Sequence, residues 1–464
     1  MVKGNNITPR KRGWSILKQI IIIAFCFIPS LFLLGQDNAP TLFEPEQFKE
    51  DIDFLLKSLD SIHPTFHQRY SDPVFRAKTD SIKQSIHHPM SKLDFFKTMQ
   101  PLIAVDGHTS LRYDGAIDPE IEAPLFPFKI VIHDNHVYIK ENLTSNRNIK
   151  RGMIIESVNG LPASEIIGRL STVIPHDRSK FRLNKTADEF HMFYRLIYGS
   201  SKAFNLVMND HGIRREFSVP GAKWEDFNTE NKPQFDFKIL EQDIAYLHIR
   251  KFRKNTEIFM TTIDSVFSVL KEKNINHLII DDRSGGGVTS LADSLISYLT
   301  DKPFKTVEKK AVKISPANTD YIHENKSGGT VQDGYLIMEY PPVEPVQRNN
   351  RFQGRVFVLI NNRTYSTAAY FASVMKCNGI GKLVGEEAGQ PLISNGDLTR
   401  FRLPNTGLAC YTSMSTYYFP CAENGEDSVK PNFEVPLSIE EILNEKDQVL
   451  EFVLALIQKD KNTL

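Results

Sequence analysis

The stretch from Val356 to Lys376 reads VFVLINNRTYSTAAYFASVMK. Its first residues, to Ile360, form a short unbroken apolar run, as a strand buried on both faces requires. From Ala368 to Lys376 the pattern is helix-like. Asn361 to Thr367 make the polar turn between them, with Ser366 at the junction. A strand leading straight into a helix is a unit of layered α/β folds. The unit recurs upstream: Ile244–Ile249 and His277–Asp281 read as strands, Phe259–Lys271 and Ala292–Leu299 as helices. The alternation predicts an α/β core within residues 221–464. One stretch departs from it. Residues 303–350 are polar and rich in Gly and Pro, and read as an elaborated loop region.

Two further segments precede this core, as ~150 residues per domain suggests for a chain of this length. In the first, residues 37–120, Phe48, Ile52, Leu55, Leu56 and Leu59 recur at helical spacing, which predicts an N-terminal helical cap. In the second, residues 121–220, Phe128–His133 and His136–Lys140 alternate as strands around an Asp-Asn turn. The run IKRGMIIESVNGLPASEIIGRL, Ile149 to Leu170, adds a strand, an Asn159–Gly160 turn and an amphipathic helix. Phe204–Met208 and Arg214–Val219 complete a small β-rich module.

The 56 basic residues equal the 56 acidic ones, so the net basic surface that nucleic acid demands is missing. Lys3, Arg10, Lys11, Arg12 and Lys18 precede an apolar run from Ile20 to Leu34 and a small polar exit. That pattern describes a secretory leader over residues 1–36, with a mature start near Gln36–Asn38. The run is shorter than the ~20 residues of a spanning helix, and Pro29 interrupts it. The expectation is an exported protein, periplasmic or extracellular, free of the membrane once the leader is cleaved and anchored if it is not. Of the three remaining cysteines, Cys410 and Cys421 flank an expected hairpin. They either pair in an oxidising compartment or stay as buried thiols.

Three short stretches carry the chemistry. A serine at Ser366 is ordinarily an N-cap, worth ~1 kcal/mol. As a nucleophile it would have the helix dipole behind it and the Thr367 N–H as an oxyanion donor. The run IIDDRSGGGVTS, Ile279 to Ser290, places glycines after a buried strand, where free N–H groups can hold a developing oxyanion. Taken alone, it reads as a turn. DGHTSLRY, Asp106 to Tyr113, contains His108, a candidate base among thirteen histidines. Weaker signals read as structural. His63 and His67 stand four apart, but Pro64 intervenes. Glu386 and Glu387 would face opposite ways on a strand. Asp281 and Asp282 either organise the Gly-rich turn or are solvated.

Together, in this order, the stretches resemble the S41 serine peptidases, the tail-specific or C-terminal processing proteases and their tricorn-like relatives. IKRGMIIESVNGLPASEII is similar to that family's PDZ-like module, DDRSGGG to its Asp-Leu-Arg-x-Asn-x-Gly-Gly loop. TYSTAAYFA with LVGEEAG resembles the nucleophile segment, and VKPNFEVP the closing signature. The resemblance implies a ClpP/crotonase-like fold for the α/β core, a peptide or protein substrate, and no metal or cofactor. It implies Ser366 as nucleophile and Gly286 or Gly287, with Thr367, as oxyanion donors. Where processing proteases carry a lysine base, this chain has Gln390, which accepts no proton. The tricorn-like branch uses a histidine that His108 matches, and a late glutamate for which Glu423 and Glu426 are candidates, Glu426 being chosen. Gly285 and Val288 replace the loop's usual Asn and second Gly, and Asn432 the closing Asp. The reading is therefore a serine-type peptidase. Its alternatives are an inactive peptide-binding protein on the same scaffold and a serine hydrolase of another ester or amide.

Overall fold

A computed structural model describes residues 41–113, 123–227, 233–252, 255–283 and 285–461, apart from the Glu423 side chain. The expected leader, residues 1–36, lies outside the described residues. Among those described, no helix is long and apolar enough to cross a membrane.

The α/β core is built on a six-stranded sheet. Its order is Phe235–Glu241, Ile244–Ile249, His277–Asp281, Arg355–Ile360, Lys382–Gly385 and Phe433–Glu434. The first pair is antiparallel and the rest run parallel. Parallel strands need covering on both faces, and side-chain alternation supplies two apolar faces. Leu278, Ile280, Val356, Val358 and Ile360 pack on one side with residues of helices Thr256–Glu272, Thr289–Ile296 and Thr367–Cys377. Ile279, Phe357, Leu359 and Val384 pack on the other with helix Gln448–Lys461.

A second sheet stands beside the first, in the order Thr330–Gln332, Tyr335–Glu339, Lys309–Lys313, Ala409–Tyr418 and Ile393–Arg402. Three of its strands come from residues 303–350, so the expectation of a loop region there is corrected. The pattern misleads because Lys310, in the strand's middle, is buried. It is held by Asp397 and Tyr321, so a charged residue occupies an interior position. The hairpin is Ile393–Tyr418, with Cys410 inside its second strand. Cys410 is a buried free thiol, and Cys421 is bonded to Cys377 with their Cα atoms 6.0 Å apart. The Cys410–Cys421 pairing is thus excluded.

Residues 41–104 form helices, principally Pro45–Ile62, Pro73–Ser85 and Lys92–Ile103. Asp72 and Ser91 cap the second and third by accepting backbone N–H groups. Their apolar faces share a cluster with Cys410 of the second sheet and with Leu403 and Leu408 of the turn that joins its last two strands. Strand Ser110–Arg112 then pairs with Ala409–Tyr411. The middle segment is an antiparallel sheet of Phe128–His133, His136–Asn142, Ile154–Val158, Ala203–Asp210 and Ile213–Pro220. Helices Ala163–Val173, Ser179–Asp188 and Phe190–Tyr198 lie between its strands in sequence, the last two beyond what the pattern suggested. Its core draws only on residues 126–219.

Candidate active site

Ser366 is the last residue before helix Thr367–Cys377, yet its side chain does not cap it. Its backbone sits at φ 58°, a left-handed region that costs a non-glycine residue on the order of 1–3 kcal/mol. The cap reading therefore fails: the residue is held in a strained turn with its hydroxyl unused by the helix. The turn is tied down from several sides. Thr364 Oγ1 donates to Asp282 O at 2.9 Å, and the Ser366 N–H donates to Gln390 Oε1.

The Gly-rich turn lies against it through backbone contacts. Gly285 bridges to Tyr365 and Gly287 to Phe252. The Gly286 N–H donates to Tyr365 O at 2.9 Å, the Phe252 N–H to Gly286 O at 3.2 Å, and the Val288 N–H to Phe252 O at 2.8 Å. These bonds brace a loop that lacks the usual asparagine. They also correct one assignment: Gly286 has spent its N–H on Tyr365 and is no oxyanion donor. The N–H groups of Gly287 and Thr367 have no partner among the described residues. Gly287 admits no side chain. At φ 148° a Cβ would lie 2.0 Å from Phe252 O.

His108 reaches this site because strand Ser110–Arg112 joins the second sheet at Ala409–Tyr411. His108 and Ser366 border the same cavity, of about 640 Å³, with Gly287, Thr367 and Gln390. Its Nδ1 is buried without a partner among the described residues, and its ring centre lies 5.4 Å from that of Tyr365. Asp106 holds the histidine's backbone: its Oδ1 accepts the His108 N–H at 2.9 Å and the Thr109 N–H at 2.6 Å. The Thr65 N–H donates to His63 Nδ1 at 3.2 Å, so His63 Nε2 carries the proton it gives to Asp106 Oδ2 at 2.9 Å. Burial opposes the Asp106 charge, but the His63 hydrogen bond, both histidines and the His108 N–H outweigh it. The carboxyl is held well below the usual carboxylate range.

Asp177 approaches from the middle segment. It accepts the Tyr365 hydroxyl at 2.5 Å and the Gly107 N–H at 3.2 Å. Burial and the Asp106 charge push its carboxyl up, against the hydrogen bonds from Tyr365 and the Gly107 N–H. Gly107 allows this approach, because a Cβ there would lie 1.9 Å from the Tyr365 hydroxyl oxygen.

Glu426 does not join the cluster. Its carboxylate pairs with Lys376 Nζ at 2.8 Å, and it does not border the cavity. His63 and His67 turn to different carboxylates, Asp106 and Asp60, so they hold no common ligand. Glu386 accepts from Asn362 at 3.0 Å, while Glu387 accepts from Ser428 at 3.0 Å and pairs with Arg178 at 2.9 Å. Sequence reasoning missed Asp106 as the hub, although Asp-Gly-His is an Asx-turn pattern that signals it. It also missed Asp177, for which no local signal exists.

The family model described as Peptidase family S41 matches residues 243–435. Those residues are thus similar to that peptidase family. Ser366, Thr367, Gly287 and Gln390 lie within the matched stretch, whereas His108 and Asp177 come from outside it. No curated protein matches the chain. Among solved structures, mature CPAF complexed with lactacystin is similar, with a TM-score of 0.66 at 17% identity over 90% of this chain and 99% of that one. Mature CPAF alone gives 0.64 at 16%, over 90% and 98%. The photosystem II D1 C-terminal processing protease gives 0.46 at 13%, over 86% and 96%. For the two CPAF structures the likeness is one of fold.

Proposed function

We propose that the chain is an exported serine peptidase in which Ser366 attacks the peptide carbonyl and His108 takes its proton. The observation that carries the reading is the shared cavity. It holds an uncapped serine in a strained turn, a histidine with a buried unpaired nitrogen, and two N–H donors without partners. Attack forms the bond from Ser366 Oγ to the carbonyl carbon and moves the hydroxyl proton to His108. The carbonyl oxygen gains charge opposite the Gly287 and Thr367 N–H groups, which strengthens both bonds as the transition state forms. His108 then gives the proton to the leaving amine, and water repeats the sequence on the acyl-enzyme. The backbone bracing of the Gly-rich turn argues against an inactive scaffold, since it keeps the donors in place without the usual asparagine.

The middle segment is read as a PDZ-like module. Its edge strand Phe128–His133 borders a concavity of about 740 Å³ together with helix Ser179–Asp188, a place for an extended peptide to add as a strand. The Cys377–Cys421 disulfide supports an oxidising compartment, as the leader-like N-terminus does.

Casein hydrolysis and labelling by a fluorophosphonate test the reading on the mature chain. Ser366→Ala abolishes both. His108→Ala costs nearly as much hydrolysis, and the double variant loses little more, because the two groups act as a unit. Hydrolysis that survives in His108→Ala but not in Ser366→Ala would remove the histidine from its role.

A further inference from the structure

We infer that Gln390 is a positioning residue that holds Ser366 in its reactive geometry through its backbone N–H. The inference rests on the reading of Ser366 as the nucleophile. Gln390 is 2% exposed, so no bulk water can replace its partners. Its amide spans two elements. Oε1 accepts the Ser366 N–H, and Nε2 donates to Ser394 Oγ at 2.5 Å. Only the oxygen can face an N–H, so this orientation of the amide is fixed by chemistry. Ser394 belongs to strand Ile393–Arg402, which also borders the cavity. The amide therefore ties the turn carrying the hydroxyl to the sheet beside it.

The tie matters because the turn is strained. A serine at φ 58° relaxes unless its surroundings over-determine it. The Ser366 N–H is part-buried and has no helical acceptor, and an unmet N–H adds its own cost. One carbonyl oxygen answers both. A lysine at position 390 would meet the N–H with another donor and could not hold it. Gln390 thus takes no proton; it sets where Ser366 Oγ points relative to His108 and the two oxyanion donors.

Steady-state kinetics on the mature chain, with a chromogenic peptide ester, and the rate of fluorophosphonate labelling test this. Gln390→Leu keeps the volume and removes the acceptor. It lowers kcat and the labelling rate by ~100-fold with KM within ~3-fold, the scale expected when a reacting atom is misplaced by about 1 Å. Gln390→Glu restores both to within ~10-fold of wild type, since one oxygen takes the N–H and Ser394 turns its hydroxyl to donate to the other. A folded Gln390→Leu with wild-type kcat overturns the inference, and so does a Gln390→Glu as slow as Gln390→Leu. Should Gln390→Leu fail to fold, Ser394→Ala decides: freeing the far end of the amide lowers kcat by ~10-fold, and an unchanged kcat is the contrary result. Ser366→Ala runs alongside. If it stays active, the nucleophile reading falls whatever position 390 does; if it is dead while Gln390→Leu is active, only the positioning role falls.

Discussion

Asp282 follows the central strand of the core and precedes the Gly-rich turn. It is fully buried, and neither carboxylate oxygen has a partner among the described residues. Its neighbour Asp281 has all it needs: Tyr246 donates at 2.6 Å and Arg283 at 2.9 and 2.6 Å. Burial, and then the Asp281 charge, push the Asp282 carboxyl well above the usual range. A group whose folded pKa is raised carries no penalty below its unfolded value of ~3.9, and destabilises progressively as pH rises toward the folded value. Asp282→Leu, the residue type of the family run at this place, is therefore stabilising at neutral pH. The gain is on the order of 1–3 kcal/mol, the cost of an unsatisfied buried group. Urea unfolding of both proteins at pH 5 and pH 8 reads it out, with the larger gap at pH 8. An equal gap at the two pH values, or a more stable wild type, would mean that Asp282 finds a partner.

At the scale of elements, the middle segment is the separable piece. Its apolar cluster draws on residues 126–219 alone. Leu125 and Ala222 exchange backbone hydrogen bonds of 2.9 Å each way, which closes its two ends on one another. Residues 123–224 expressed alone give a dispersed NMR spectrum and a cooperative melt; a collapsed spectrum would show that the α/β core templates them. This segment was legible in the sequence because its strands alternate and its turns carry Asp-Asn and Asn-Gly signals. The core strands and the helix after Ser366 were legible as unbroken apolar runs. The second sheet was not. Its strands hide interior polar groups, such as Lys310, Asp397, Ser413 and Ser415, that are satisfied only by one another or by distant residues. Periodicity sees charge there and infers exposure. In the site, Ser366 and His108 stood in recognisable runs. Asp177 and the amide of Gln390 act through contacts that fold closure creates, and no local pattern encodes them.

Across the whole molecule, one short segment joins that module to the candidate site. Residues 177–188 meet the turn around Ser366 at several points. Tyr365 donates to Asp177, Arg363 clasps Asp188 through two bonds of 2.9 Å, and Arg178 pairs with Glu387 at 2.9 Å and Asp427 at 3.0 Å. Between them Phe181 stacks on Tyr365 with ring centres 4.3 Å apart. It also lies against Gly389, where a Cβ would come within 2.9 Å of its ring. Phe181 thus sits behind both Ser366 and Gln390 while bordering no part of the cavity they share. The exposed ion pairs contribute little each, whereas a stacked aromatic pair is worth about 1 kcal/mol and fixes a ring in place. Loosening that ring frees Tyr365 and the strained residue after it. Phe181→Ala is expected to lower kcat by roughly tenfold with KM little changed, since misplacing a reacting group costs turnover more than binding. Combined with Tyr365→Phe, which releases Asp177, the losses fall short of their product, because both act on one ring. Full kcat in Phe181→Ala would mean that the module docks without holding the turn, and that Gln390 and the Gly-rich loop keep Ser366 in place unaided.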